Sequence, residues 1–379
     1  MAVADVPTGG WGERWFAWRD RLLADPRFQR WAARFPLTRK VAERRSRELF
    51  DLCAGFVYSQ VLLACVRLRT FDHLADGPRR LPELAASMGL EPAAAERLLD
   101  AAVSLRLLRR AGPERYGLGE LGAALRANPG VLAMIEHHHL LYADLADPVA
   151  LLRREGEGGQ LQAYWAYARA GAPADLDDPR IAAYSALMSA SQPLVSGDIL
   201  DAYDFGRHRC LLDVGGGEGA FLEAVAARHP ALQLRLFDLP PVAKRAAARL
   251  ADAGLAPRAE THGGSFLADP LPRGADVVSL VRVVHDHDDD AVVTLLRAIR
   301  QALPPDGTLV VAEPMAETKG AEPMGEAYFG FYLWAMGSGR PRSPKALEAL
   351  LAAGGFDAVR FVPTARPMLT RLLVARPRR

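Results

Sequence analysis

The chain has 379 residues, of which 50% are hydrophobic, 24% charged and 8% aromatic; we therefore expect two or three ordered domains and exclude a peptide-sized scaffold and a disordered chain. Lys and Arg (47) nearly balance Asp and Glu (45), which excludes a general electrostatic attraction to nucleic acid. The three cysteines have no CxxC spacing, which argues against a disulfide framework or a zinc knuckle.

The first segment, residues 1–46, is a basic arm rich in tryptophan. Residues 1–47 hold 11 basic and 5 acidic side chains, and the arm contains four of the six tryptophans. Trp11, Trp15, Trp18 and Leu22 follow helical spacing, which predicts a helix with one apolar, aromatic face. Two interpretations stay open. We favour a helix that packs on the main body or on a second subunit; the alternative is a helix that contacts an anionic membrane surface.

Neither a membrane span nor an export signal is predicted. The longest uncharged apolar stretch, Leu52–Val66, has 15 residues, whereas a spanning helix needs about 20. The first 14 residues show no basic leader followed by an apolar segment. We therefore expect a cytoplasmic protein, with the arm as its candidate for peripheral contact with an inner or intracytoplasmic membrane.

The second segment, residues 47–200, has an almost entirely helical pattern. A short helix is predicted over Pro82–Met88 with a stop at Gly89, a longer helix over Pro92–Leu108, and a β wing in the turn-rich sequence that follows. This pattern is typical of a winged helix, a motif that DNA-binding regulators also use. Because the segment has no concentrated basic face, we expect a dimerisation domain that forms a homodimer and binds no nucleic acid.

The third segment, residues 201–379, alternates short apolar runs with helical stretches, which predicts a doubly wound, Rossmann-like α/β sheet. About six residues separate its last two strands, too few for a helical crossover, so these strands should form an antiparallel C-terminal hairpin. The predicted strands are Cys210–Val214, Gln233–Phe237, Arg258–His262, Ala275–Val281, Thr308–Ala312, Ala358–Pro363 and Thr370–Ala375. The helices predicted between them are Phe221–His229, Val242–Ala253, Asp289–Ala302 and Pro344–Ala353.

A glycine-rich loop follows the first of these strands and runs directly into a helix. Glycines at 215, 217 and 219 allow a tight turn and a close approach of backbone to ligand, and the helix start supplies free N–H groups. Gly215, Gly217 and Ala220 also satisfy the dinucleotide pattern G-x-G-x-x-A. By itself the loop is therefore compatible with a nicotinamide-dependent oxidoreductase or with a methyltransferase.

The surroundings of the loop favour a methyltransferase. Asp213 and Gly219 complete a D-x-G-x-G-x-G pattern, in which the carboxylate can engage the amino acid end of S-adenosylmethionine directly or through water. Asp238 ends the second strand, where a carboxylate can accept both ribose hydroxyls. The usual dinucleotide fold has no antiparallel C-terminal hairpin, so we expect S-adenosylmethionine as the cofactor and S-adenosylhomocysteine as its product.

Residues 47–376 resemble the small-molecule O-methyltransferases that join a winged-helix dimerisation domain to a class I methyltransferase domain. LLDVGGGEG, LFDLPPV, GGSFLADPLPRGADVVSLVRVVHDHDDD and GTLVVAEP match that family's motifs in order and spacing. The resemblance implies that His285 is the catalytic base and that Glu313 steadies it. It also implies that Asp238 and Leu239 contact the ribose and the adenine.

The chain departs from the family's pattern at several positions. Ser265, followed by Phe266, stands where many plant members have an aspartate on the adenine side, so its hydroxyl must replace that contact or leave it to water. The lysine that often meets the cofactor carboxylate aligns with Val281, and Arg282 beside it is a candidate substitute. The second active-site acid aligns near Pro341. These changes weaken the case for a phenol acceptor.

The expected acceptor comes from a narrower resemblance. FVYSQVLLA in the helical segment and the Trp-rich arm resemble the branch of the family that methylates the tertiary hydroxyl of acyclic carotenoids. Aromatic polyketides and bacteriochlorophyll precursors are alternative acceptors. By family position, Met188 lies near the cofactor or acceptor, although a methionine on an apolar helix face is usually a core residue. The aromatic segment Tyr328–Met336 is long enough for Tyr328, Tyr332 and Met336 to line a hydrophobic tunnel, although an ordinary buried helix explains them equally well.

Two histidine-rich stretches predict no metal site. In His285–Asp290 the candidate ligands are adjacent residues on a predicted strand-to-helix turn, so their side chains cannot all face one ion. The aspartates of this stretch are equally well explained as the N-terminus of a helix. His137, His138 and His139 cannot share one helix face, so we expect solvated or interfacial side chains.

Overall fold

The computed structural model describes residues 10–154, 158–165 and 187–378, and its first part is helical with a small sheet. Helices α1–α7 span Gly10–Ala24, Pro26–Arg34, Pro36–Arg67, Thr70–His73, Leu81–Met88, Pro92–Ser104 and Glu120–Arg126. Strands β1–β3 span Arg79–Arg80, Leu108–Gly112 and Arg115–Leu118, and they pair antiparallel in the order β1-β3-β2.

The helix, turn and wing predicted for the winged-helix segment are present. Helix α5 ends at Gly89, whose positive φ of 65° forms the expected left-handed C-terminal stop. The predicted end of the longer helix at Leu108 is wrong, because α6 ends at Ser104. Arg106 adopts a φ of 60°, which turns the chain into β2, where Leu108 pairs with Leu118.

The arm is helical from residue 10, and its apolar side chains lie at the surface. No residue of α1 is buried, and Trp11 is 89% exposed. The expected boundary after residue 46 falls inside the continuous helix α3, Pro36–Arg67. By length and composition, α3 could cross a membrane, with 11% of its most apolar window buried; this helix contains the 15-residue stretch that was judged too short to span.

The second part of the chain is an α/β structure preceded by helices. Helices α8–α11 span Pro129–Asp144, Pro148–Arg153, Gln160–Tyr164 and Pro193–Ala202, and residues 187–191 are also helical. Strands β4–β10 span Cys210–Val214, Gln233–Asp238, Ala259–Gly263, Val277–Val281, Thr308–Glu313, Phe356–Val362 and Arg371–Pro377. Helices α12–α16 span Ala220–Arg228, Pro240–Asp252, Asp289–Ala302, Gly330–Met336 and Pro344–Ala353, with a π-helix over Pro323–Phe329 before α15.

The described strands of this part form a seven-stranded sheet in the order β6-β5-β4-β7-β8-β10-β9. Strands β4–β8 pair parallel, and β10 pairs antiparallel with both β8 and β9, so the predicted Rossmann-like sheet and its C-terminal hairpin are confirmed. Alternate residues of the strands pack into two apolar clusters; Leu212 belongs to one cluster and Leu211 to the other. The sheet is therefore buried on both faces, and its ligand-binding edge lies at the carboxyl ends of the strands.

The chain divides into two units after Arg126 rather than after residue 200. The second unit, Ala127–Arg379, includes helices that we had expected to belong to the dimerisation domain. The reason is their packing: Leu141 of α8 and Leu161 of α10 form one apolar cluster with Leu333 and Met336 of α15.

Candidate active site

The glycine loop between β4 and α12 has the conformation that its sequence predicts. Gly215, Gly217 and Gly219 have φ angles of 68°, 59° and 83°, a region that favours glycine. A Cβ at Gly215 would lie 2.9 Å from a methyl carbon of Val283, whereas one at Gly217 would meet no atom within 4 Å. The loop is therefore packed on one side and open at Gly217, where a ligand can approach the backbone.

Asp213 lies buried beneath this loop. Its Oδ1 accepts a hydrogen bond of 2.5 Å from Ser279 Oγ on the neighbouring strand β7. Its Oδ2 has no hydrogen-bond partner among the described residues. Burial raises the pKa of Asp213 to about 7. A buried carboxylate oxygen without a partner calls for a ligand or water that donates to it, which fits the ammonium group at the amino acid end of S-adenosylmethionine.

Asp238, the last residue of β5, holds the loop in place. Its Oδ2 accepts from the Gly217 N–H at 2.8 Å and its Oδ1 from the Leu239 N–H at 2.7 Å. Burial raises the pKa of Asp238 to about 6, against the lowering effect of these two bonds. Each oxygen keeps further acceptor capacity, so the carboxylate can brace the loop and still accept ribose hydroxyls.

Ser265 and Phe266 follow β6 at the same edge of the sheet. The Ser265 N–H donates to Asp269 Oδ2 at 2.8 Å, and its hydroxyl accepts weakly from the Leu267 N–H at 3.4 Å. Phe266 packs edge-to-face on His287, with ring centroids 5.1 Å apart. Ser265 and Phe266 thus follow a strand that ends at the ligand-binding edge of the sheet, and their contact with the adenine stays a prediction.

Arg282 directs its described hydrogen bonds toward a helix rather than toward the glycine loop. Its guanidinium donates to Ser191 Oγ at 2.8 Å, to Gln192 Oε1 at 2.6 Å and to the Met188 carbonyl at 3.2 Å. The residue has a φ of 57° at the end of β7. These contacts fasten residues 188–192 beside the site; contact of Arg282 with a cofactor carboxylate stays a prediction.

His285 and Glu313 lie together, as the family resemblance implies. Glu313 is the last residue of β8 and is 2% exposed. Its Oε1 accepts from the backbone N–H groups of Val283 and Val284 at 2.9 and 2.7 Å, and its Oε2 pairs with His285 Nδ1. Because Glu313 fixes the Nδ1 side of the ring, Nε2 is the nitrogen that faces the rest of the site.

Asp286 is a site residue that the sequence analysis missed. Its Oδ1 lies 3.1 Å from His285 Nε2, so the imidazole is held between two carboxylates. Burial disfavours the imidazolium, but the charges of Asp286 and Glu313 outweigh burial and raise the pKa of His285 to about 9. Burial raises the pKa of Asp286 to about 6. This carboxylate stands beside the histidine although the family's second acid aligns near Pro341.

An aromatic wall flanks this histidine. The Phe329 ring, in the π-helix, packs edge-on against His285 with centroids 5.9 Å apart. The hydroxyls of Tyr328 and Tyr332 hydrogen-bond to Nε2 of His138 and His137 at 2.7 and 2.8 Å. The expectation of a solvated side chain is therefore wrong for His137 and His138, whereas His139 is exposed as expected.

The other residues expected near the acceptor differ in burial. Met336 and Tyr332 are buried in the apolar cluster of the α8–α10 helices and α15, and Met188 and Tyr328 pack at its edge, partly buried. Burial lowers the pKa of His137 to about 4, so this buried pair with Tyr332 is uncharged. Tyr332 and Met336 thus pack as core residues, whereas Tyr328 and Met188 are partly exposed; that any of the four lines the acceptor site stays a prediction.

The carboxyl ends of four adjacent strands assemble these groups: β5 supplies Asp238, β4 leads to the glycine loop, β7 leads to His285, and β8 supplies Glu313. A sheet edge of this kind can bind a nucleoside ligand along the glycine loop and place a hydroxyl group at the histidine. The sequence analysis did not predict Asp286 or Ser279 as site residues. The register of β4 and β7 places Ser279 beside Asp213, and the turn after β7 places Asp286 beside His285; neither is visible in the sequence pattern.

Comparisons with known proteins identify two domains. A family model described as an O-methyltransferase domain matches residues 142–357, and one described as an O-methyltransferase dimerisation domain matches residues 50–128. The second match ends next to the division after Arg126, and it supports a homodimer.

Individual relatives match over most of the chain. Demethylspheroidene O-methyltransferase of Cereibacter sphaeroides is 46% identical over 357 residues, covering 94% of this chain and 93% of the relative. The enzyme of the same name from Rhodobacter capsulatus is 41% identical, covering 94% and 88%. The crystal structure of human N-acetylserotonin methyltransferase in complex with SAM matches with a TM-score of 0.73 and 25% identity, covering 88% of this chain and 98% of that one.

Proposed function

Because this chain belongs to the family of S-adenosylmethionine-dependent O-methyltransferases that carry a dimerisation domain, we propose that it methylates the tertiary hydroxyl of an acyclic hydroxycarotenoid of the demethylspheroidene or hydroxyneurosporene type. The observation that carries the proposal is the 46% identity with demethylspheroidene O-methyltransferase over 94% of the chain. Two relatives of that name each match over 94% of the chain, which supports a shared place in carotenoid biosynthesis.

The residues of the loop and of β5 are suited to hold the cofactor, which when bound supplies an electrophilic methyl group. Asp213 offers its unpartnered Oδ2 to the ammonium group. Asp238 accepts the ribose hydroxyls, and Leu239, Ser265 and Phe266 border the adenine. The three loop glycines leave room for the ligand backbone to lie against the chain.

The acceptor chemistry explains why the site needs a base with fixed orientation. A tertiary alcohol is a weaker acid than a phenol, so a histidine cannot ionise it in advance, and proton removal must accompany methyl transfer. The acceptor hydroxyl takes the place of Asp286 at Nε2, and His285 accepts the hydroxyl proton there while Glu313 holds Nδ1. S-adenosylmethionine held by Asp213 and Asp238 would supply the methyl group and leave as S-adenosylhomocysteine, and alignment of the reactants would supply much of the acceleration.

The arm serves as the contact with the membrane in which the acceptor is dissolved. A long acyclic carotenoid is confined to lipid, so the enzyme must meet it at a bilayer surface or receive it from a carrier. Exposed Trp11, Trp15 and Trp18 suit the headgroup boundary, and the arm's excess of basic residues suits an anionic leaflet.

Incubation of the enzyme with labelled S-adenosylmethionine and lipid extracts of a carotenoid-producing host tests the acceptor. Mass spectrometry should identify a methoxylated acyclic carotenoid as the labelled product. A labelled polyketide or bacteriochlorophyll precursor, with no labelled carotenoid, would overturn the proposed acceptor while leaving the family assignment intact.

A further inference from the structure

Helix α2, Pro26–Arg34, presents a basic and aromatic face to solvent. Arg27, Arg30 and Arg34 recur at helical spacing on this face and are exposed, whereas Ala32 is buried. Trp31 lies between them and stacks on Phe35, with ring centroids 4.9 Å apart and planes at 15°. The face therefore combines three positive charges with a flat aromatic surface.

These residues line an open cavity of about 480 Å³, which we call the arginine cavity; its lining is Arg27, Arg30, Trp31, Arg34, Phe35 and Pro36. The lining contains no acidic residue. In the described part of the chain, carboxylates pair with neighbouring arginines such as Arg19 and Arg39, but no ion pair is found for the three arginines of the cavity. Like charges gathered without a counter-charge repel one another, and a bound anion relieves that repulsion.

We propose that the arginine cavity binds the phosphate headgroup of an anionic phospholipid. A guanidinium offers two parallel N–H groups to phosphate oxygens, so several arginines around one opening suit a phosphate ester better than a point charge would. The cavity opens beside Trp31, which is 51% exposed, and tryptophan is suited to the headgroup level of a bilayer.

A phospholipid explains the aromatic lining better than free phosphate does. An inorganic anion uses only the three cations, whereas a lipid headgroup brings glycerol and acyl carbons to Trp31 and Phe35. The arm's other exposed tryptophans, Trp11, Trp15 and Trp18 in α1, belong to the same short segment of chain. The inference rests on the proposed function, because an enzyme that meets a lipid-dissolved acceptor at the bilayer surface uses such an anchor.

Vesicle co-sedimentation of the full-length protein tests the cavity. We expect binding to phosphatidylglycerol vesicles and little binding to phosphatidylcholine vesicles. The variant R27Q/R30Q/R34Q should bind phosphatidylglycerol about 100-fold more weakly, the loss expected from three arginine contacts. The matched control R14Q/R21Q/R45Q removes the same charge from exposed arm positions and should lose less than about a tenth of that factor. R27K/R30K/R34K keeps the charge and should fall between them.

Three results would overturn the proposal. Equal losses in the cavity variant and the control would mean diffuse electrostatic attraction. Full competition by millimolar inorganic phosphate, or equally tight binding of duplex DNA, would mean an unspecific anion site. A monomer in light scattering of R27Q/R30Q/R34Q, when the unaltered protein is a dimer, would make the cavity a subunit contact.

The experiments distinguish a cavity that does not bind phospholipid from an enzyme that does not methylate the proposed acceptor. Methylation of the hydroxycarotenoid in neutral detergent micelles needs no membrane, so the cavity variant should keep its kcat there. If the unaltered enzyme fails to methylate the carotenoid in micelles, the proposed acceptor is wrong, whereas loss of vesicle binding alone concerns the cavity.

Discussion

Replacing Glu313 by glutamine keeps the size of the side chain but reverses the donor and acceptor roles in its hydrogen bond with His285 Nδ1. In the structure, Oε1 of Glu313 accepts from the N–H groups of Val283 and Val284, and Oε2 pairs with His285 Nδ1. In E313Q the amide oxygen must stay with the two backbone donors, so the NH₂ group faces Nδ1. The histidine then accepts at Nδ1 and carries its proton on Nε2, where it cannot receive the acceptor's proton.

The expected loss in kcat is roughly 10² to 10⁴, the range for a positioned general base and for its wrong tautomer. The lost charge-assisted hydrogen bond should also lower the free energy of unfolding by about 1.5–3 kcal/mol. Affinity for S-adenosylhomocysteine should change little, because the glycine loop is held by Asp238 rather than by Glu313.

Initial rates with labelled S-adenosylmethionine, calorimetry with S-adenosylhomocysteine and thermal unfolding measure the three quantities separately. E91Q removes an exposed carboxylate whose side chain makes no cap hydrogen bond, and it serves as the control with unchanged kcat. A kcat for E313Q within about threefold of the unaltered enzyme, in a stably folded variant, would refute the argument that Glu313 sets the tautomer of His285.

Further variants and a pH series separate proton transfer from cofactor binding. H285A should lower kcat by roughly 10² to 10⁴ with unchanged calorimetric affinity for S-adenosylhomocysteine; a near-normal kcat would leave His285 only an orienting role. Since Asp286 and Glu313 raise the pKa of His285 to about 9 and the base must be neutral, kcat/KM should increase with pH and level near that value. A profile that levels near 6 would instead assign proton acceptance to Asp286. D238N turns an acceptor of the Gly217 or Leu239 N–H into a donor, and calorimetry should show at least about tenfold weaker binding of S-adenosylhomocysteine.

The order and type of the elements after residue 200 could be predicted well, because short buried strands alternate with amphipathic helices there. Strand Cys210–Val214 and helices Asp289–Ala302 and Pro344–Ala353 have the predicted bounds. The end of helix α6 was predicted too late because the apolar pattern of the helix continues into β2. Periodicity alone does not show that the chain turns at Arg106.

The domain boundary was harder to predict for a related reason. Residues 127–164 look like the helices before them, and their assignment to the second unit depends on packing against α15, nearly 200 residues away. The same long separation hides the pairing of His137 with Tyr332. Histidines that share no helix face look solvated in a sequence, although each can meet a different distant partner.

Site residues at strand ends were predictable, and those that depend on a local turn were not. Asp238 and Glu313 each end a strand at the ligand-binding edge, and Asp213 is the next-to-last residue of its strand. Asp286 follows His285 directly, and only the 3₁₀ turn Val284–Asp286 brings its carboxylate to Nε2. The side-chain direction of Arg282 likewise follows from its positive φ and from helix 187–191.

Methylation of a purified acyclic carotenoid by the purified enzyme tests the central claim most directly. The substrate carries a tertiary 1-hydroxyl group and is supplied in neutral detergent micelles with labelled S-adenosylmethionine, and the product is analysed by mass spectrometry. The account predicts a single labelled methyl ether at that hydroxyl, formed by the unaltered enzyme and lost in H285A. Absence of labelled ether with an enzyme that binds S-adenosylhomocysteine, or equal product from H285A, would contradict it.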